Sequence, residues 1–421
     1  MVASTDRPRD AALELATFPI GEVVLGLGAS FERGRLLVDL DAIAGASASA
    51  PSIDRVEAHL VRPGDAVRLA NVLDAVEPAV KADDPDASFP GALGRLVPAG
   101  RARTNRLEGV AVIASAPLAG LAEGEAADLP DAFVDMAGPG ADRSRWSETT
   151  NVVLAFTPRE GAPVADVERA IRRATLRTAR DLAAATIGAE PGDVQTVPPL
   201  TGADGLPRVC AIVQVGSEGP LLDTFHYGHP MLGASPTTID PREVLDGALT
   251  NGAYDWAGAR NPTAFYQRNA LIRELLAAHG ERLDFVGVVL ALGYLSSGFE
   301  KQRSAMLSAE LALRLGADGV ICTTFETGNS HTDTMLTVRA CERLGIRTTA
   351  ILAETNGGLT DHVPEADCLV SAGNEEELVA AWTPERVIGA EVARAGELVP
   401  MWAYLGSVCE MGDMRWTAVP A

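Results

Sequence analysis

The chain has 421 residues, 47% of them hydrophobic, and its 35 basic against 57 acidic side chains give a net charge of −22. That length supplies material for two to three domains at roughly 150 residues each, and the acidic balance disfavours nucleic acid phosphates and anionic membranes as partners. No apolar run approaches the roughly 20 residues of a membrane span, and the opening MVASTDRPRD lacks a charged-then-apolar signal pattern, so a cytoplasmic location is expected.

Short alternating runs at 22–25, 35–40, 66–69 and 109–113, separated by frequent Gly and Pro, predict half-buried strands and a β-rich module over residues 1–145. The periodicity then changes. An apolar run at 151–156 predicts a strand, and 164–186 predicts a helix on which Val167, Ala170, Ile171 and Ala174 share one face. Arg169, Arg172, Arg173 and Arg177 lie mostly elsewhere and are expected to form a solvated face. With the strand at 208–215, this middle α/β region covers 146–275. In the C-terminal domain, 276–421, strands at 285–290, 319–323, 347–353 and 368–370 alternate with helices at 300–315 and 333–344, which stop at Gly316 and Gly345. Such alternation implies right-handed crossovers. The predicted fold class is therefore α/β: an N-terminal β-rich module followed by doubly wound α/β with a largely parallel sheet.

A parallel sheet binds ligands at the carboxyl ends of its strands, here the loops 293–298, 325–331 and 354–360. Polar residues concentrate there. Asn329, Glu354 and Asn356 are candidate substrate-binding groups, and backbone N–H groups after Thr332 could hold a small anion. His331 and Asp333, with Glu326, form a candidate catalytic set, since an imidazole and a carboxyl can pass a proton near neutral pH; Asp333 as a helix cap is the plainer alternative. His226 and His229, with His331, could complete a divalent metal site, against the plainer reading of loop histidines that satisfy backbone groups. The five cysteines are an odd number with no CxxC pair, so neither a disulfide framework nor a tetrathiolate zinc site is indicated. Only Lys81 and Lys301 are available for a Schiff base.

Several longer segments carry a resemblance. Arg62-Pro63-Gly64-Asp65, Val76-Glu77-Pro78 and Phe89-Pro90-Gly91 are followed by VDMAGPGA at 134–141, LLDTFHYG at 221–228, DGALTNGAYDWAGARNPT at 246–263 and GNSHTD at 328–333. In this order the chain resembles the proprotein subunit of glycine, sarcosine and betaine reductase component B and, more distantly, the D-proline reductase proprotein. The resemblance implies a subunit acting on a small amino acid or N-methylated amine in reductive C–N cleavage, with a component B-type selenol or thiol partner and an oligomeric assembly. In that family the chain breaks at an Asn-Cys bond, and the cysteine becomes a pyruvoyl group that captures the substrate amine. Here Ala253 stands at the asparagine position and Tyr254 at the cysteine position, although Asp246, Gly247, Ala248, Gly252, Asn261, Pro262 and Thr263 match. The acyl shift needs a short side chain able to attack the preceding carbonyl, which a phenol cannot do, and Asn251-Gly252 upstream offers no nucleophile. One uncut chain without a pyruvoyl group is therefore expected. The resemblance also places Asp223, Thr224 and Tyr227 near the substrate site and gives Lys81 a role in the fold. Three readings stay open: an enzyme subunit with another way of holding the amine, an enzyme in which a metal replaces the lost electrophile, and a non-catalytic paralogue that binds or scaffolds.

Overall fold

The computed structural model describes residues 11–118, 132–254, 261–325, 327–355, 366–389, 394–412 and 417–419. In the N-terminal half the alternating Val, Ile and Leu runs form strands as expected, and they pair across residue 145. The strand Thr150–Pro158 lies between Val110–Ser115, to which it is parallel, and Ile53–Val61, to which it is antiparallel; Val72–Val76 closes this four-stranded sheet. A second sheet sets Leu13–Pro19 between Asp193–Val197 and Ala102–Glu108, with Ala79–Lys81 at its far edge. The sheets thus run through the boundary drawn at 145/146, because a strand buried in the middle of a sheet must find hydrogen-bonding neighbours on both sides and this one finds them earlier in the chain.

The helix Val164–Ala184 lies over these strands and buries Val167, Ile171, Leu176 and Leu182 among Val76, Val80, Val112 and Leu154. Its polar side is less uniformly solvated than the pattern predicts. Arg172 is buried together with Glu168 one turn earlier, its Nε donating to Glu168 Oε1 at 2.7 Å.

The C-terminal half is built on a seven-stranded sheet ordered Thr237–Ile239, Asp284–Gly293, Arg208–Gly216, Gly319–Thr323, Arg347–Glu354, Cys368–Asn374 and Thr417–Val419. The five inner strands are parallel and both outer ones antiparallel. Their apolar runs have no polar alternation because both faces are covered. The helices Gly298–Arg314 and Asn329–Arg343 contribute Ala309, Ala312, Val338 and Cys341 to the core on one face, and Ala270–Ala278 contributes Leu271, Ile272 and Leu275 on the other. The molecule is α/β, but instead of one doubly wound parallel sheet it holds several sheets, most of mixed direction. Cys210, Cys322 and Cys341 are buried free thiols in this core, and burial pushes all three pKa values up, so they read as hydrophobes.

Numbered in chain order, the five parallel strands run 2-1-3-4-5. The order therefore reverses between Arg208–Gly216 and Gly319–Thr323, which marks the crevice outside their carboxyl ends as the ligand-binding position of such a sheet.

The late chain returns to the first half. Arg386–Ile388 pairs in parallel with Val67–Leu69, and Phe133 N–H donates to Ala403 O. Beneath this seam Arg68 and Asp135 form a two-pronged ion pair, with Nε to Oδ1 at 2.6 Å and Nη2 to Oδ2 at 2.8 Å; Tyr404 donates to Oδ2 at 3.0 Å. Both charges are fully buried. Removing one partner would leave the other uncompensated, so Asp135→Ala should lower the unfolding free energy by about 3–5 kcal/mol in a denaturant titration.

Candidate functional site

The processing-like segment sits at the reversal of the parallel sheet. From the end of Arg208–Gly216 the chain turns into Leu222–His226, which pairs antiparallel with Leu249–Ala253 so that Asp223 faces Gly252 and Leu222 faces Ala253. Thr224 anchors the turn: its Oγ1 accepts Gly216 N–H at 3.1 Å and lies 3.1 Å from the Tyr266 hydroxyl. Ala253 packs on Phe325 at the exit of Gly319–Thr323, and Asn261 Nδ2 donates to Phe325 O. Two regions that look unrelated in the sequence, the processing-like segment and the loop 325–331, are thereby brought together.

A network of buried polar groups holds the segment. Asp74, on a strand of the N-terminal sheet, accepts Thr263 N–H and Thr263 Oγ1–H, both at 2.7 Å, and Thr263 Oγ1 in turn accepts Asn251 N–H at 2.9 Å. Asn251 folds back on its own strand: its Oδ1 accepts Ala253 N–H and its Nδ2 donates to Ala253 O, both at 3.0 Å, and Nδ2 also reaches Leu73 O at 3.3 Å. Gly252 has no room for a side chain, since a Cβ would lie 2.3 Å from the Phe225 ring and 3.0 Å from Glu168 Oε1. Above Phe225 the Arg172 guanidinium lies 3.6 Å from the ring centroid.

Tyr254 ends the segment. Its N–H donates to Leu221 O at 2.8 Å, and its ring is 3% exposed. Burial raises the phenol pKa well above its usual value, and the charges of Glu168 and Asp74 push the same way against Arg172, so the hydroxyl keeps its proton. Among the described residues that hydroxyl has no hydrogen-bond partner. Two carboxyl groups nearby are tuned towards neutrality. Burial raises Asp74 to about 7 against the lowering effect of the Thr263 donors, and burial raises Asp223 to about 7 against the backbone N–H groups of Gly219 and Leu232. Asp223 Oδ1 is buried without a partner among the described residues. Carboxyls that titrate near pH 7 beside a cation are suited to accept and return a proton, and such groups concentrate at functional sites.

The other sequence candidates are distributed around this centre. Asp333 lies in the second turn of a helix that starts at Asn329, which removes it from the capping position; its carboxylate accepts Lys301 Nζ at 2.9 Å and Leu295 N–H at 3.2 Å. His331 is buried two residues earlier on the same helix, a spacing at which side chains diverge, so Asp333 is engaged by Lys301 while the two do not face each other. Asn329 accepts from Lys301 as well. Tyr227, at φ +50°, donates to Glu243 Oε2 at 2.8 Å and accepts Ala99 N–H at 3.0 Å, which makes it a tie between segments. Glu354 accepts from Ser371 Oγ. Glu326 and Asn356 lie outside the described residues.

His226 and His229 face each other across a short antiparallel pair; the His226 ring is held neutral by burial, and His229 Nδ1 lies 2.8 Å from Pro230 O. Among the described residues no group of three His, Cys, Asp or Glu side chains is placed to hold a metal ion. Lys81 pairs with the buried Asp246 carboxylate, which also accepts Gly100 N–H at 2.7 Å and Thr104 Oγ1–H at 2.5 Å, so the only other lysine of the chain besides Lys301 is bound into the fold. A cleft of about 210 Å³ opens at the same sheet edge, lined in part by Ser217, Glu218, Tyr294, Ser296 and Glu300.

Sequence reasoning missed Asp74, Glu168, Arg172 and Asn251 as site residues. The available signal was the Glu168/Arg172 spacing of four beside the apolar stripe, and the retained Asn-Pro-Thr at 261–263 whose threonine Asp74 holds.

A family model for glycine/sarcosine/betaine reductase component B subunits matches residues 11–409. The chain is similar to the glycine reductase complex component B subunits alpha and beta of Acetoanaerobium sticklandii, 32% identical over 391 residues that cover 90% of this chain and 88% of the relative. It is equally similar, 32% over 391 residues covering 90% and 89%, to the sarcosine reductase complex component B subunit alpha of Peptoclostridium acidaminophilum. The betaine reductase complex component B subunit alpha of the same organism is 31% identical over 385 residues, covering 87% and 85%. No solved structure matches.

The raised carboxyl pKa of Asp74 has a defined sign. Folding favours its protonated form, so its contribution to stability is full below about pH 4 and is lost as pH rises through about 7. Urea titrations at pH 5 and pH 8 should show the wild type losing stability over that interval. Asp74→Asn should lose less by roughly 2–4 kcal/mol, and an equal loss in both proteins would contradict the assignment.

Proposed function

Because the chain belongs to the glycine/sarcosine/betaine reductase component B family, we propose that it serves a reductase complex as one uncut subunit that binds a small amino acid or N-methylated amine without a pyruvoyl group. The observation that carries this reading is Tyr254. The residue stands where the family's reacting cysteine would be, on the family's retained scaffold, and its phenol is sealed among Glu168, Asp74 and Arg172. A hydroxyl at the end of an aromatic ring cannot reach the Ala253 carbonyl to start the acyl shift, so no ketone is available to condense with an amine.

Substrate handling then falls to charge and hydrogen bonding. Asp223 would take the ammonium or methylammonium group, since its unpartnered Oδ1 lies in a buried site where a cation restores the ionised form. The Arg172 and Glu168 pair keeps the surrounding field balanced, with Arg172 stacked on the Phe225 ring. The C–N bond would be broken by a separate thiol- or selenol-bearing partner. A second reading, a non-catalytic subunit that binds or scaffolds its partner, is favoured by the tight burial of Tyr254, which fills the place where the family's electrophile would stand.

Intact-mass measurement of the purified chain should give one species near 43.9 kDa. Two fragments with a ketoacyl-capped second piece would overturn the uncut reading. Calorimetric titration with glycine, sarcosine and betaine then separates the two functions. Binding of at least one of them, weakened roughly tenfold or more by Asp223→Asn, supports the enzyme subunit; absence of binding to all three favours the scaffold.

A further inference from the structure

The helix Gly298–Arg314 turns Ser304, Ala305, Ser308, Ala309 and Ala312 to the core. Its outer face carries Phe299, Met306 and Leu313, which are 77%, 54% and 43% exposed. Single exposed apolar residues need no explanation, but these three recur every seven residues, the repeat that keeps side chains on one line along a helix and marks a seam for another helix. Beside the seam a groove of about 550 Å³ runs between this helix and Asn329–Arg343, lined by Ala305, Met306, Ala309, Leu336 and Arg339 among others. Arg303 and Glu310 flank the stripe on one side, also seven residues apart and on either side of Met306.

We propose that this face is the contact between two copies of the chain, with the two helices antiparallel about a twofold axis at Met306. The apolar stripe alone matches itself in either direction, but the antiparallel register also pairs the flanking charges. Met306 meets Met306 of the second copy, Phe299 meets Leu313, and Arg303 comes level with Glu310, so each copy gives and receives one opposite-charge pair. The same register brings Glu300 near Arg314. Seventeen residues of helix span roughly 25 Å, so the contact lies at the small end of specific interfaces and the dimer is concentration-dependent. Arg303 donates to Ser235 Oγ at 2.8 Å and, with Glu300, also lines the cleft beside the carboxyl ends of the sheet, so self-association is read by sedimentation rather than by ligand binding.

Sedimentation velocity of the full chain over about 1–100 µM should show a monomer–dimer equilibrium. Met306→Glu, which sets two like charges on the axis, should abolish the dimer while keeping the wild-type melting temperature at concentrations where the wild type is monomeric. Arg303→Glu and Glu310→Arg should each weaken it roughly tenfold or more, and the double reversal should restore it. A monomer at every concentration would overturn the proposal. So would a dimer indifferent to Met306→Glu, or single reversals that the double variant fails to rescue.

Discussion

The Asp74 carboxyl group joins the two halves of this molecule at the one place where chemistry is expected. It accepts both donors of Thr263, Thr263 accepts Asn251 N–H, and Asn251 spans Ala253, so a strand of the N-terminal sheet dictates where the processing-like segment lies over the parallel sheet. Buried polar groups tolerate little error, because a donor or acceptor left alone in a low dielectric costs more than its partner gains. Thr263, Asn251 and the side-chain-free Gly252 therefore hold one geometry for the segment.

The surroundings of Tyr254 are arranged electrostatically. Around the buried Tyr254 phenol stand two carboxyl groups raised to about 7 and the Glu168–Arg172 ion pair. Carboxyl groups that titrate near neutrality are common at functional sites, which agrees with the ligand-binding reading.

Much of the parallel sheet was legible in the sequence. The apolar runs at 285–290, 319–323 and 347–353 and the helices ending at Gly316 and Gly345 appear as Asp284–Gly293, Gly319–Thr323, Arg347–Glu354, Gly298–Arg314 and Asn329–Arg343, because local periodicity and glycine stops suffice for buried βαβ units. Pairing between distant strands was not legible. Nothing local tells Thr150–Pro158 that its neighbours are Ile53–Val61 and Val110–Ser115, and the division at 145/146 followed a change in periodicity that the hydrogen bonding ignores. The site shows the same split. Asp223 and Thr224 could be named from the segment 221–228, whereas Asp74 and Arg172 enter the site only through folding, and Asp333 meets Lys301 from another helix.

The Asn251-Gly252 pair lies within a strand, and its carboxamide is held at both ends. Such dipeptides ordinarily age by attack of the glycine nitrogen on the asparagine carbonyl carbon, a reaction that requires the side chain to swing onto its own backbone. Here that swing would break three contacts at once, so the dipeptide should resist spontaneous deamidation for as long as the protein stays folded, and conversion to isoaspartate at this position would report on unfolding rather than on time.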